Sequence, residues 1–166
     1  MKEYPMEVLL KKREEVRKKG LKVYDFSTGD VNEQVPEFIR KALTETVEKE
    51  VIRYPSVRGK KELREVISNW LKKRFGVSLD PETQIIPTSG SKEAIFHFPL
   101  VFLKEKKRVI YGTPGYPVYE RGTIYAGGIP TPVVLREEEN FLLRLDKLPK
   151  GLLEETKIVW INYPHN

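Results

Sequence analysis

The segment Ile86-Pro87-Thr88-Ser89-Gly90-Ser91-Lys92-Glu93-Ala94-Ile95 sets a Gly/Ser-rich turn between a short apolar stretch and a helix-forming run. Residues of these types in this order can hold an anion. The first N–H groups of a helix have no intrahelical partner, Gly90 lets a ligand come close to the main chain, and Ser91 and Lys92 add a hydroxyl and a positive charge. The helix dipole contributes only about 0.3–1 kcal/mol, so binding requires several donors to converge. The competing reading is an ordinary capped helix, with Ser89 or Ser91 as cap and Glu93 as first-turn acid. Taken alone, the segment favours that second reading.

Other common chemistries are excluded by spacing. Gly59-Lys60-Lys61 is not a nucleotide-binding loop, because Tyr54 stands where the first glycine belongs and Lys61 where Ser or Thr is required. Neither Gly-x-Gly-x-x-Gly nor Gly-x-Ser-x-Gly occurs. The chain has no cysteine, which removes disulfide frameworks and thiolate metal sites, and His97 and His165 alone give a metal centre little to build on.

The elements that must position these residues follow from periodicity. Met6, Leu9, Leu10, Arg13 and Val16 form one helical stripe that stops at Gly20, and residues 21–27 read as extended. Pro36 opens a second helix carrying Phe38, Ile39, Ala42, Leu43, Thr46 and Val47, and Tyr54-Pro55 breaks the pattern. Leu63, Val66, Ile67, Trp70 and Leu71 predict a third helix, ending near Gly76.

From residue 85 the texture alternates between strand and helix. Strands are predicted over 85–88, 108–111, 129–135 and 158–162, and helices over 92–103, interrupted by Pro99, and 116–126. Two prolines push the 129–135 strand toward an edge position. Apolar strands alternating with helices predict an α/β fold with a mostly parallel sheet flanked by helices on both faces, whose ligands sit beyond the C-terminal strand ends. Three polar turns fall at such ends: 89–92, 112–116 and 163–166.

The 166 residues suffice for about one domain, and 39% hydrophobic content suffices for a packed core. The net charge of +6 could attract an anionic partner. Acids are interleaved with the bases, however: Glu14 with Lys18, Glu15 with Lys19 and Glu45 with Lys49 at helical spacing, which predicts a solvated, ion-paired surface. No apolar run reaches membrane-spanning length and the first residues lack the apolar stretch of a secretory signal, so a cytoplasmic location is expected.

In this order the motifs resemble the N-terminal part of fold-type I, class I/II aminotransferases, and most closely the bacterial aspartate- and diaminopimelate-pathway members. Five segments carry the resemblance: Ser27-Thr28-Gly29-Asp30; Tyr54-Pro55-Ser56-Val57-Arg58-Gly59 with Leu63-Arg64; residues 89–95; Pro114-Gly115-Tyr116-Pro117 with Tyr119; and Asn162-Tyr163-Pro164-His165-Asn166. The resemblance implies pyridoxal 5'-phosphate as cofactor. Gly90, Ser91 and Lys92 would hold its phosphate, Tyr116 would lie against its ring, and Asn166 would bond its phenolic oxygen. Tyr54 would reach the phosphate of a neighbouring subunit in a homodimer with a shared active site, and Gly29 would leave room for the substrate carboxylate. Residues 1–45 would be the first segment of a small domain and 46–166 the first half of an incomplete large, cofactor-binding domain.

The implied activity is transfer of an amino group from an L-amino acid to a 2-oxo acid in amino-acid metabolism, without nucleic acid or membrane. Val31 after Asp30 and Val35 before Pro36 depart from the family pattern on the substrate side. The family's Schiff-base lysine lies beyond the motif ending at Asn166, so the chain is expected to be a fragment, inactive by itself, and Lys92 does not replace that lysine. Two rival functions are a C–S lyase of the same fold and a noncatalytic anion- or nucleic-acid-binding module.

Overall fold

The computed structural model describes residues 5–26, 29, 31, 33–49, 54–103 and 107–166. The chain divides into two compact units, Met1–Tyr54 and Pro55–Asn166.

The first unit carries helices α1 (Pro5–Lys18) and α2 (Glu37–Lys49). Gly20, with φ of 73°, follows α1 in the left-handed conformation suited to a helix end. Arg13 Nη1 lies 2.7 Å from Asp25 Oδ2 and ties α1 to the segment after it. The apolar stripe of α2 is exposed, Phe38 and Leu43 by 73% and 66%. Of the predicted ion pairs, Lys49 meets Glu45 at 3.5 Å, whereas Glu14 pairs with Arg13 and Arg17.

In the second unit, α3 (Lys61–Phe75) ends at Gly76, which caps it at φ 72°. Then come α4 (Ser91–Phe102), β1 (Arg108–Thr113), α5 (Val118–Tyr125), β2 (Ile129–Val134), α6 (Lys150–Glu154) and β3 (Thr156–Trp160). The three strands form a parallel sheet in the order β2-β1-β3, with Val109 opposite Pro130 and Ile158. The expected α/β class and parallel sheet therefore stand. Among the described residues β2 lies at an edge of the sheet, where Pro130 and Pro132 are tolerated because no strand on that side needs their missing N–H.

Two elements differ from expectation. Residues 85–88 form no strand: no ladder partner lies beside them among the described residues, and Ile86 is 71% exposed. An apolar run needs a neighbouring strand before its backbone can pair. The short helix α6 went unpredicted, five residues being too few to show a period.

The core is built on β1. Alternate strand residues face opposite ways, and Val109, Ile110, Tyr111 and Gly112 are all buried, so both faces of β1 are covered. Leu103, Val109 and Ile158 form its centre, with Ala126 and Trp160 packed against them. Gly122 lets α5 approach α4 closely: a Cβ there would stand 3.1 Å from the Phe96 carbonyl oxygen.

Candidate functional site

Both α4 and α5 aim their N-termini at one edge of the sheet. α5 leaves the C-terminal end of β1 and returns to the start of β2, so it runs antiparallel to the strands. The C-terminal end of α4 reaches the opposite edge, where Leu103 presses on Gly128 just before β2. A helix of this length spans about 18 Å, which carries its first residues, Ser91 and Lys92, to the C-terminal edge of the strands. The turns holding Tyr116 and Asn166 follow β1 and β3 at that same edge.

Gly90 occupies the N-cap of α4 with φ 80° and ψ 163°, a conformation open essentially to glycine alone. Among the described residues, its two chain neighbours aside, no heavy atom lies within 4 Å of where its Cβ would stand, and no side chain caps the helix. The expectation that Ser89 or Ser91 serves as cap is corrected here. Glu93 does behave as a first-turn acid, its carboxylate accepting the Ser89 N–H at 2.5 Å. The turn is braced locally: Gly90 N–H donates to Thr88 O at 2.9 Å, and Thr88 Oγ1 donates to Gly90 O at 3.1 Å.

Tyr116 is half-buried, its ring edge-on to Tyr119 at 5.8 Å. Tyr119 in turn stacks on Trp160 of β3 at 5.6 Å, so the ends of β1 and β3 share one aromatic row. Burial raises the Tyr119 phenol above its ordinary value, with Tyr116 adding to the effect. Burial also pushes the Tyr111 phenol up to about 12, with a smaller contribution from Glu120.

The two turns are joined by His165, whose Nε2 lies 2.6 Å from Pro114 O, and a Cβ on Gly115 would meet that imidazole at 3.2 Å. The peptide bonds before Pro114 and Pro164 are both cis. Asn166 is exposed, and its N–H donates to Asn162 Oδ1 at 3.0 Å. Tyr116 and Asn166 thus sit on neighbouring, bonded turns, and Gly90, Ser91 and Lys92 sit at the same edge. A small hollow there is lined by Gly112, Tyr119, Trp160 and His165 among others, and its wall includes none of Gly90, Tyr116 and Asn166.

Gly29 and Tyr54 are exposed residues of the first unit. Ser27, Thr28 and Asp30 of the first motif lie outside the described residues. Sequence reasoning gave no role to His165 or Arg64. The signal for Arg64 was available: with Ile67 and Leu71 it keeps helical spacing, so it falls on the inward stripe of α3. Among the described residues no cluster of His, Asp and Glu could hold a metal ion, and no helix is long and apolar enough to cross a membrane.

In open parallel α/β sheets ligands bind beyond the C-terminal strand ends, and that is the edge at which this unit places its glycine-capped helix and its aromatic turn. The family of aminotransferases of class I and II matches residues 18–166. The chain belongs to that family, which uses pyridoxal 5'-phosphate, and its fold is that of fold-type I aminotransferases. An LL-diaminopimelate aminotransferase of Aquifex aeolicus is 44% identical over 157 residues, covering 94% of this chain and 41% of that protein. One from Nitratidesulfovibrio vulgaris is 40% identical, covering 94% and 40%. Among solved structures, an aspartate aminotransferase of Thermotoga maritima superposes with a TM-score of 0.86 at 30% identity, covering 99% of this chain and 44% of that one. The chain spans about two-fifths of the length of the curated relatives it matches.

The residues at the edge fit a phosphate-bearing ring. The space beside Gly90 is open, Ser91 and Lys92 follow it as the first residues of α4, and the half-buried aromatic Tyr116 stands in the turn after β1.

Proposed function

We propose that the protein to which this chain belongs is a pyridoxal-phosphate-dependent aminotransferase moving an amino group from an L-amino acid to a 2-oxo acid. The names of the curated relatives favour LL-diaminopimelate as amino donor. When bound, the cofactor supplies an electron-withdrawing ring that stabilises negative charge on the substrate carbon beside the nitrogen.

The role of this chain's residues is to bind and orient. Gly90 leaves the approach to the helix start open, and Ser91 and Lys92 hold the phosphate dianion there through amide, hydroxyl and ammonium donors. Tyr116 packs on the ring and fixes its tilt, a contact worth roughly 0.5–1.5 kcal/mol beyond buried area. Asn166 donates to the phenolic oxygen. Tyr54, 94% exposed, is available to the phosphate of a second copy in a homodimer, and Gly29 leaves room for the substrate carboxylate. A place in cytoplasmic amino-acid metabolism is part of the same reading and suits a cysteine-free chain.

The observation that carries the proposal is the glycine-only conformation of Gly90 with open space above the first turn of α4. The test is a titration of the isotopically labelled chain with pyridoxal phosphate, pyridoxal and inorganic phosphate. The expected result is that both phosphate-bearing probes move the amide resonances of Gly90, Ser91 and Lys92, and that only pyridoxal phosphate also moves Tyr116 and Asn166. Amides at 90–92 that ignore both phosphates would overturn it.

A further inference from the structure

Arg64 is a charged residue on the inward face of α3 and is only 5% exposed. Its guanidinium is occupied on every side. Nε donates to Pro81 O at 2.8 Å, Nη1 to Gly59 O at 2.7 Å and Arg58 O at 3.2 Å, and Nη2 to Glu82 Oε2 at 3.1 Å. Three of these acceptors are main-chain carbonyls, so the fork grips backbone in two separate loops. A buried charge costs several kcal/mol in desolvation and is kept only where it is fully satisfied. Plain stability is a weak reason for it, since a packed apolar side chain often does as well.

One of the gripped loops leads to the cofactor edge. Gly59 has φ 74°, and a Cβ on it would lie 2.8 Å from Pro87 Cγ, so its backbone rests directly on the Pro87 ring. Pro87 is three residues before Gly90 and is the base of the turn that Thr88 and Glu93 brace from above. The contacts therefore run without a gap from the Arg64 fork through the Gly59 backbone and the Pro87 ring to the amides that open α4.

We infer that Arg64 is a positioning residue for the anion-binding turn at Gly90, acting through Gly59 and Pro87. The inference rests on the proposed phosphate role of that turn. Arg64 touches no ligand. It fixes where the Gly59 backbone stands and thereby how the turn after Pro87 presents its N–H groups. Lysine cannot substitute, because a compact ammonium lacks the planar fork needed to hold Pro81 and Gly59 carbonyls together.

The experiment compares Arg64→Lys, Pro87→Ala and Ser68→Ala in the full chain. Ser68 serves as control because it anchors the neighbouring carbonyl of Leu79 at 2.6 Å from the same helix, without a bond to Arg58 or Gly59. Inorganic phosphate is the probe. Arg64→Lys is expected to weaken its binding by about tenfold and to shift the free-state amide resonances of Ser89–Glu93. Pro87→Ala should reproduce both effects, and the double variant should be no worse than either alone. Ser68→Ala should lower the unfolding temperature and leave phosphate affinity and those resonances unchanged. If Arg64→Lys leaves the 89–93 resonances in place, or if Ser68→Ala changes affinity equally, the inference fails. A wild-type chain that ignores phosphate defeats the functional reading, while the free-state resonances still decide whether Arg64 positions the turn.

Discussion

The imidazole Nε2 of His165 stands 2.6 Å from the carbonyl oxygen of Pro114 and joins the turn after β3 to the turn after β1. A carbonyl only accepts, so Nε2 carries the proton and the ring nitrogen donates. His165→Ala removes this bond and should lower unfolding free energy by about 1 kcal/mol, measured by denaturant titration. The Tyr116 and Asn166 amide resonances should move together in that variant. If they move independently, the turns are held by something else.

Replacing Gly90 by alanine is a conformational test. Nothing stands within 4 Å of the new methyl group, so the cost comes from φ 80° and not from crowding. A non-glycine residue forced into that region costs of order 1–3 kcal/mol, which the chain avoids by reshaping the turn. Gly90→Ala should therefore bind inorganic phosphate more weakly while α4 and the core persist, as read by phosphate titration and circular dichroism. Retention of wild-type affinity would falsify the role of the turn.

Much of this arrangement was legible before coordinates. α3 was bounded correctly because a clean apolar stripe ends at a glycine, and the edge position of β2 followed from Pro130 and Pro132. That the turn at Gly90 opens a helix was legible because a helix start depends on local backbone chemistry. What stayed hidden depends on neighbours distant in sequence. The segment 85–88 has strand-like residues, yet pairing is decided by whether another strand lies alongside. His165 and Arg64 act through carbonyls 51 residues away at Pro114 and 17 residues away at Pro81, and no spacing rule encodes such contacts. Glycine as the N-cap of α4 was missed because nearby serines looked like better caps.

The close approach of α5 to α4 gives a packing prediction. A Cβ at Gly122 would stand 3.1 Å from Phe96 O and 3.2 Å from Phe96 Cα, both backbone atoms that cannot rotate away. Gly122→Ala must push the helices apart and should destabilise the chain by about 1–3 kcal/mol. Gly151→Ala, where nothing lies within 4 Å, is the matched control and should be near neutral. Thermal unfolding of the pair checks this, and equal behaviour of the two variants would refute the packing argument.

Tyr111 sets an upper pH limit on the core. Its phenol is held neutral by burial, with its pKa pushed up to about 12 from an ordinary 10.0. The folded chain therefore keeps a proton that the unfolded chain gives up between those values, and stability falls as pH rises through this window. Below pH 10 the contribution is complete and flat. Denaturant midpoints at rising pH should decline from about pH 10 upward, and Tyr111→Phe should make that decline shallower, the buried Tyr119 phenol carrying part of the rest. A decline of equal slope in Tyr111→Phe would assign it to other groups.

The proposed ring contact of Tyr116 and the proposed phosphate contact of Lys92 can be tested separately. Lys92 supplies charge, so Lys92→Ala should weaken binding of inorganic phosphate and pyridoxal phosphate by similar factors, and added salt should reduce the difference between variant and wild type. Tyr116 supplies an aromatic face, so Tyr116→Ala should leave inorganic phosphate affinity unchanged and weaken pyridoxal phosphate by about threefold to tenfold, the equivalent of roughly 0.5–1.5 kcal/mol. Tyr116→Phe keeps the face and its edge-on packing against Tyr119, and should bind both probes as wild type does. Equilibrium dialysis with each probe decides the matter. Loss of inorganic phosphate binding in Tyr116→Ala would mean that Tyr116 shapes the turn at Gly90 and does not face a ring.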